Sequence, residues 1–119
     1  MSNPFLSSNT LFDSDGDNSA QAAKTIPGYI DYLHIINPNT AQAFLQLFDV
    51  AAASVTVGTT TPKLSFLIPA GDGTNSGGFE RSFDPPLHFS ANAITYACTT
   101  TATGNGDPTT GLTVNIQFH

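Results

Sequence analysis

Positive charge is almost missing from this chain. Lys24, Lys63 and Arg81 are its only Lys or Arg residues among 119, and nine carboxylates leave a formal net charge of −6. Nucleic-acid binding needs clustered Lys and Arg to neutralise phosphates, so three scattered cations exclude that partner class and disfavour an anionic membrane surface. No apolar run reaches the ~18 residues of a membrane-crossing helix. The opening Met1-Ser2-Asn3-Pro4-Phe5 lacks the basic segment and apolar stretch of a secretion signal. Trp is absent and Cys98 stands alone, which rules out an intrachain disulfide and a cysteine metal site. The expectation is a protein made and used without an oxidative secretory step.

Charged residues are 10% of the chain against roughly 25% in an average globular protein, and Thr, Ser, Asn and Gly fill the gap. Thr fits a pleated strand. A surface of hydroxyls and amides meets other molecules with little charge to desolvate.

A long helical period is also missing, and short alternating segments take its place. Tyr29-Ile30-Asp31-Tyr32-Leu33-His34-Ile35-Ile36 is β-branched and aromatic on both faces, as in a strand covered on each side. Asn37-Pro38-Asn39-Thr40 reads as a tight turn that returns into Ala43-Phe44-Leu45-Gln46-Leu47-Phe48, giving a hairpin. Ala51-Ala52-Ala53 suits a short helical turn or a wide loop before Val55 and Val57. Leu64, Phe66 and Ile68 share one face of a segment bounded by Pro62 and Pro69, the mark of an edge strand. Residues 79–83, 87–89, 93–98 and 112–118 supply four more, the last with Leu112, Val114, Ile116 and Phe118 on one side.

A chain of this length closes one hydrophobic core and is too short for two. About eight strands at spacings of roughly 8–12 residues predict an all-β fold. The specific expectation is a single-domain antiparallel β-sandwich of jelly-roll type over residues 23–119.

Residues 1–22 read as an extended N-terminal arm, polar and acidic, that orders on a partner. Its apolar residues Phe5, Leu6, Leu11 and Phe12 come in pairs and are the candidate contact residues. Within it, Asp13, Asp15 and Asp17 occupy positions one, three and five of a calcium-loop pattern. The pattern then fails, because Asn18 and Lys24 stand where Gly and a bidentate Glu belong. A solvated acidic segment is the favoured reading.

Little else could carry chemistry. Glu80 and Asp84 are the only carboxylate pair within one strand and turn, where an acid and base could be imagined, and Arg81 sits between them as a counter-charge. His34, His88 and His119 alternate with core positions, so each faces away from the core, and a shared metal requires the fold to converge them. Cys98 continues the face of Ile94 and Tyr96 as a small buried hydrophobe. The glycine-rich residues 71–78 lack the Lys-Ser/Thr end of a phosphate loop and read, with residues 99–111, as outward-facing loops. No catalytic residue, cofactor or resident metal is expected.

Several short motifs together suggest a family. Gly28-Tyr29-Ile30, Ile36-Asn37-Pro38-Asn39, Leu45-Gln46-Leu47-Phe48-Asp49 and Ile68-Pro69-Ala70-Gly71 come first. Phe83-Asp84-Pro85-Pro86-Leu87-His88-Phe89-Ser90 and Leu112-Thr113-Val114-Asn115-Ile116 follow. In this set the chain resembles small virion-associated proteins of tailed bacteriophages over residues 28–118. The resemblance implies a non-enzymatic capsid decoration or cement protein, a homotrimer located in the virion after assembly in the host cytoplasm. Its partners would be the major capsid protein or other virion proteins, held by the arm and one sheet face. The alternatives are a tail or head-fibre component, or a carbohydrate-binding jelly roll for host attachment.

Overall fold

Alternation along each strand decides which side chains meet. In the computed structural model, which describes residues 9–119, Leu112, Val114 and Ile116 are buried while Thr113, Asn115 and Gln117 are half-exposed. Eight strands form: β1 (Asn9–Gly16), β2 (Gln21–Lys24), β3 (Gly28–Asn37), β4 (Ala43–Phe48), β5 (Leu64–Ile68), β6 (Gly77–Phe89), β7 (Ile94–Thr99) and β8 (Leu112–Phe118). A single 3₁₀ turn lies at Ala52–Ser54. Two four-stranded sheets result, ordered β1-β8-β3-β6 and β2-β7-β4-β5.

The antiparallel pairs β4·β5, β3·β6, β2·β7 and β1·β8 nest inside one another. One long folded hairpin therefore wraps on itself, and the contacts β3·β8 and β4·β7 close each sheet. This is the jelly-roll order, two Greek keys in a double sheet. Ile30, Leu33 and Ile35 of β3 meet Leu45 and Leu47 of β4 and Tyr96 and Cys98 of β7 in the dry layer between the sheets. Each such Leu or Ile contributes about 1.5–3 kcal/mol by leaving water.

The chain enters the sheets earlier than the arm reading expects. Residues 9–16 are an edge strand of the first sheet and residues 21–24 an edge strand of the second. Register in β1 shifts between Asp13 and Gly16, and a Cβ on Gly16 would lie 2.8 Å from Val114 Cγ2 and 2.9 Å from Cys98 Sγ. Only glycine lets the backbone approach the core so closely there.

Two other expectations change. Segments 79–83 and 87–89 are one strand, β6, in which residues 83–86 bulge opposite Asp31 alone and include a cis Asp84–Pro85 bond. The expected β3–β4 hairpin does not form, because β3 and β4 belong to different sheets. Buried Asn37 explains the crossing. Its Nδ2 donates to Ala41 O at 3.0 Å and Pro69 O at 3.2 Å, while its Oδ1 accepts from Asn39 N at 3.0 Å. Asn39 in turn exchanges two 2.8 Å bonds with the Thr110 backbone. The turn is thus tied to the β5 exit and the β8 entrance, and the chain is steered to the opposite sheet. β3 is also buried on one face only, with Tyr29, Tyr32, His34 and Ile36 half-exposed.

Because β1 and β2 belong to the sheets, deleting residues 2–22 would bare the edges of β8 and β7 and is expected to abolish the cooperative thermal transition. A truncated protein that still melts cooperatively by circular dichroism would return residues 9–22 to the role of a dispensable arm.

Asp49 gives a second expectation. Partial burial opposes its ionisation, but backbone N–H groups of Ala91, Asn92 and Ala93, aided by Lys63, outweigh that and hold the carboxyl below its ordinary 3.8. Its oxygens accept at 2.9, 2.8 and 3.1 Å. A depressed folded pKa stabilises above the ordinary value and loses that contribution as pH falls through the folded one. Asp49→Ala is expected to cost about 1 kcal/mol at neutral pH, with the difference vanishing in acid. Urea melts of both proteins across the acid range measure it, and a pH-independent difference would refute the assignment.

Candidate functional site

The two sheets treat their outer faces differently. On the β2-β7-β4-β5 sheet, Gln46, Thr95, Ala97 and Thr99 point outward by alternation and yet are fully buried. The protein's own loops cover them. Thr95 Oγ1 donates to Val50 O at 2.6 Å, Gln46 Nε2 to Gly104 O at 3.0 Å, and Ser65 Oγ to Ala102 O at 2.8 Å. Residues 99–111, expected to face outward, instead fold back across this sheet.

The outer face of the β1-β8-β3-β6 sheet carries no such cover among the described residues. Register places its side chains in rows. Phe12, Asn115, His34 and Glu80 form one row, and Thr10, Gln117, Tyr32 and Ser82 the next. Directly opposed side chains in such rows lie about 4.5–5.5 Å apart at Cβ. The middle strand, β8, carries Asn115 and Gln117, while its neighbours carry the rings of Phe12, Tyr32 and His34. A groove of about 410 Å³ runs over β8, lined by these five and Thr10. Phe12 is 69% exposed, the largest value among the exposed large hydrophobic residues.

A third row is aromatic. Tyr29 stacks between His88 and His119, with ring centroids at 4.3 and 4.9 Å and interplanar angles of 12° and 17°. His119 Nδ1 lies 2.8 Å from Asp31 Oδ2, and the Tyr29 and His119 backbones exchange two hydrogen bonds. The fold therefore converges two of the three histidines. His34 stands apart, in the groove.

The other sequence-derived candidates scatter. Phe5 and Leu6 lie outside the described residues. Leu11 and Phe12 separate by alternation, Leu11 packing on the core and Phe12 facing out. Asp13 accepts the Tyr96 hydroxyl at 2.7 Å, Asp17 Oδ1 accepts from Ser19 N at 2.9 Å, and the Asp17 carbonyl accepts from Cys98 N. The Asp13 and Asp17 carboxylates thus serve local and cross-sheet bonds, Asp13 also accepting from Asp15 N at 2.9 Å, and no group of three potential metal-binding side chains occurs among the described residues. Burial, with the charges of Asp13 and Asp17, pushes the Cys98 thiol up to about 12, which suits a packing group rather than a nucleophile. Glu80 stands on the open face, whereas Asp84 sits in the β6 bulge. The groove itself was not foreseen. Its sequence signal is the alternation of Asn115, Gln117 and His34 with core residues.

The Tyr32 hydroxyl donates to Glu80 Oε2 at 2.6 Å. That hydrogen bond, then desolvation and the carboxylate charge, raises the phenol above its ordinary 10.0. A raised folded pKa means the contact holds below the ordinary value and is lost as pH rises through the folded one. In a spectrophotometric titration Tyr32 should ionise above the ordinary range, and Glu80→Gln should return it toward 10.0. An unchanged titration curve in the variant would show that the pair does not persist in solution.

No family model matches the chain, and no curated protein or solved structure matches it. The likeness to phage virion proteins rests on the sequence motifs alone.

Proposed function

We propose that the chain is a non-enzymatic structural protein of a phage virion, of the decoration or fibre kind, that binds non-covalently through the open face of the β1-β8-β3-β6 sheet. One observation supports this above others: the protein's own loops bury the central outward residues of one sheet, whereas no described residue covers the outer face of the other. Covering that face would require only loops like those the chain already has elsewhere. Leaving it open, with Phe12 in water, is the arrangement of a surface that meets something.

Jelly rolls occur in viral capsid and lectin domains, and the motifs of residues 28–118 suggest the virion setting. The fold by itself hosts many functions, so the face carries the weight. Its side chains are amides, hydroxyls and rings, and its carboxylates Glu80 and Asp31 are engaged by Tyr32 and His119. That inventory suits recognition better than proton transfer. A homotrimer anchored to the major capsid protein or another virion protein would display three such faces.

Mass spectrometry of purified particles of the source virus should find the chain at a fixed ratio to the major capsid protein, and light scattering of the free protein should give a chelator-insensitive trimer. Absence from the particles would overturn the virion assignment, and a monomer would overturn the trimer.

A further inference from the structure

The groove over β8 has a floor and two walls of different chemistry. The floor is amide: Asn115 and Gln117 stand two residues apart on one strand, about 7 Å along it. The walls are rings, Phe12 on β1 to one side and Tyr32 with His34 on β3 to the other. Thr10 adds a hydroxyl beside Gln117. Asn115 Nδ2 donates to His34 O at 3.1 Å, which fixes the amide in place and turns its Oδ1 to the groove. Among the described residues, no hydrogen bond within the chain engages the Gln117 side chain.

We propose that this groove is a binding site for a neutral saccharide. The inference rests on the open face being the binding face, and it names the ligand class.

Each part of a sugar finds a counterpart. Primary amides offer donors and acceptors on one planar group, matching vicinal hydroxyls that both donate and accept. The apolar C–H face of a pyranose covers an aromatic ring, and among the described residues the exposed Phe12 ring has no apolar partner of its size on this face. The volume, about 410 Å³, falls within the roughly 300–1,000 Å³ of small-molecule sites.

Charge argues for neutrality. No cation lines the groove. Arg81 is paired in register with buried Leu33, and its guanidinium lies 5.6 Å from the Phe83 ring, so it belongs to the opposite face of the sheet. The nearest charge in register is Glu80, beside His34. With a net charge of −6, the chain would repel sulfated, phosphorylated or sialylated ligands. A protein partner fits less well. Stable protein interfaces bury about 800 Å² per side around an apolar centre, and among the described residues Phe12 is the sole exposed large hydrophobe on this sheet, Ile26 and Leu67 lying off it.

The test is a ¹⁵N NMR titration of the full chain with maltotriose, mannotriose and N-acetyllactosamine, with 3′-sialyllactose as the charged control. At least one neutral sugar should shift the side-chain amide signals of Asn115 and Gln117 in a saturable way. Phe12→Ser and Gln117→Ala should each weaken that binding at least tenfold. Neither residue is in the core, so both variants should keep the wild-type melting transition. Shifts mapping elsewhere, a preference for the sialylated control, or no shift with any sugar would overturn the proposal. Concentration-dependent broadening at the groove without sugar would assign it to a second copy of the chain instead. If no sugar binds but Phe12→Ser still reduces adsorption of virus particles to host cells, the saccharide is refuted and the open face survives as the binding face.

Discussion

Every strand has two faces, and a sandwich can bury only one of them against the opposite sheet. The rest of this structure depends on how the second face is treated. On the β2-β7-β4-β5 sheet, outward Gln46, Thr95 and Thr99 are fully buried, and buried polar groups are costly unless bonded. The loops answer the donors by supplying carbonyls, Val50 for Thr95, Thr101 for Thr99 and Gly104 for Gln46 Nε2, and among the described residues Gln46 Oε1 alone stays buried without a partner. The loops therefore belong to the fold as much as the strands do. On the other sheet the outward residues remain half-exposed, and the pleat is free to present its rows to a ligand.

The nested hairpin makes this division possible. β1 and β8, the first and last strands described, are neighbours, and the strand closest to the groove, β8, is paired on both sides. A site built on a doubly paired strand is held more rigidly than one on a loop, and an amide held as Asn115 is by the His34 carbonyl loses less entropy when it binds. The edge strand β1 is more exposed, yet Leu11 packs on the core while the Tyr96 hydroxyl bonds Asp13 across the sheets. Phe12 lies between these two anchors. An exposed aromatic is thereby fixed in position without being covered.

Where hydrophobic alternation was strong, the sequence was readable. β4 and β8 run over the residues that period-two reasoning marks, and the core face of β5 follows from Leu64, Phe66 and Ile68. β1 and β2 were not readable as strands, because Asp13-Ser14-Asp15-Gly16 and Gln21-Ala22-Ala23-Lys24 have weak strand propensity. They are strands because β8 and β7 offer them unpaired edges, a tertiary cause that no local window contains. Segments 79–83 and 87–89 read as two strands but form one, β6. The turn at Asn37-Pro38-Asn39 was legible as a turn, but its side-chain bonds to Pro69 and Thr110 backbones, which send the chain across the sandwich, join residues far apart in sequence. The groove was hidden for the same reason. Phe12, Asn115 and His34 become neighbours only once register is set.

The shortage of cations, the sequence's plainest property, has a structural location. Lys63 Nζ lies 5.7 Å from the Phe89 ring and Arg81 lies over Phe83, each using its stem to cover core aromatics. Lys24 sits at the end of β2, against Gly28 at the start of β3. None of the three is spent on the open face. A surface meant for a highly charged partner would be expected to carry its counter-charges there, where they would raise encounter rates and sharpen choice. This face instead carries amides, hydroxyls and rings, groups whose hydrogen bonds and stacking are directional but short in range. Discrimination by such a face must come from the fit of polar groups at contact, which is the regime in which one misplaced hydroxyl on a ligand leaves an amide unpaired and costs binding.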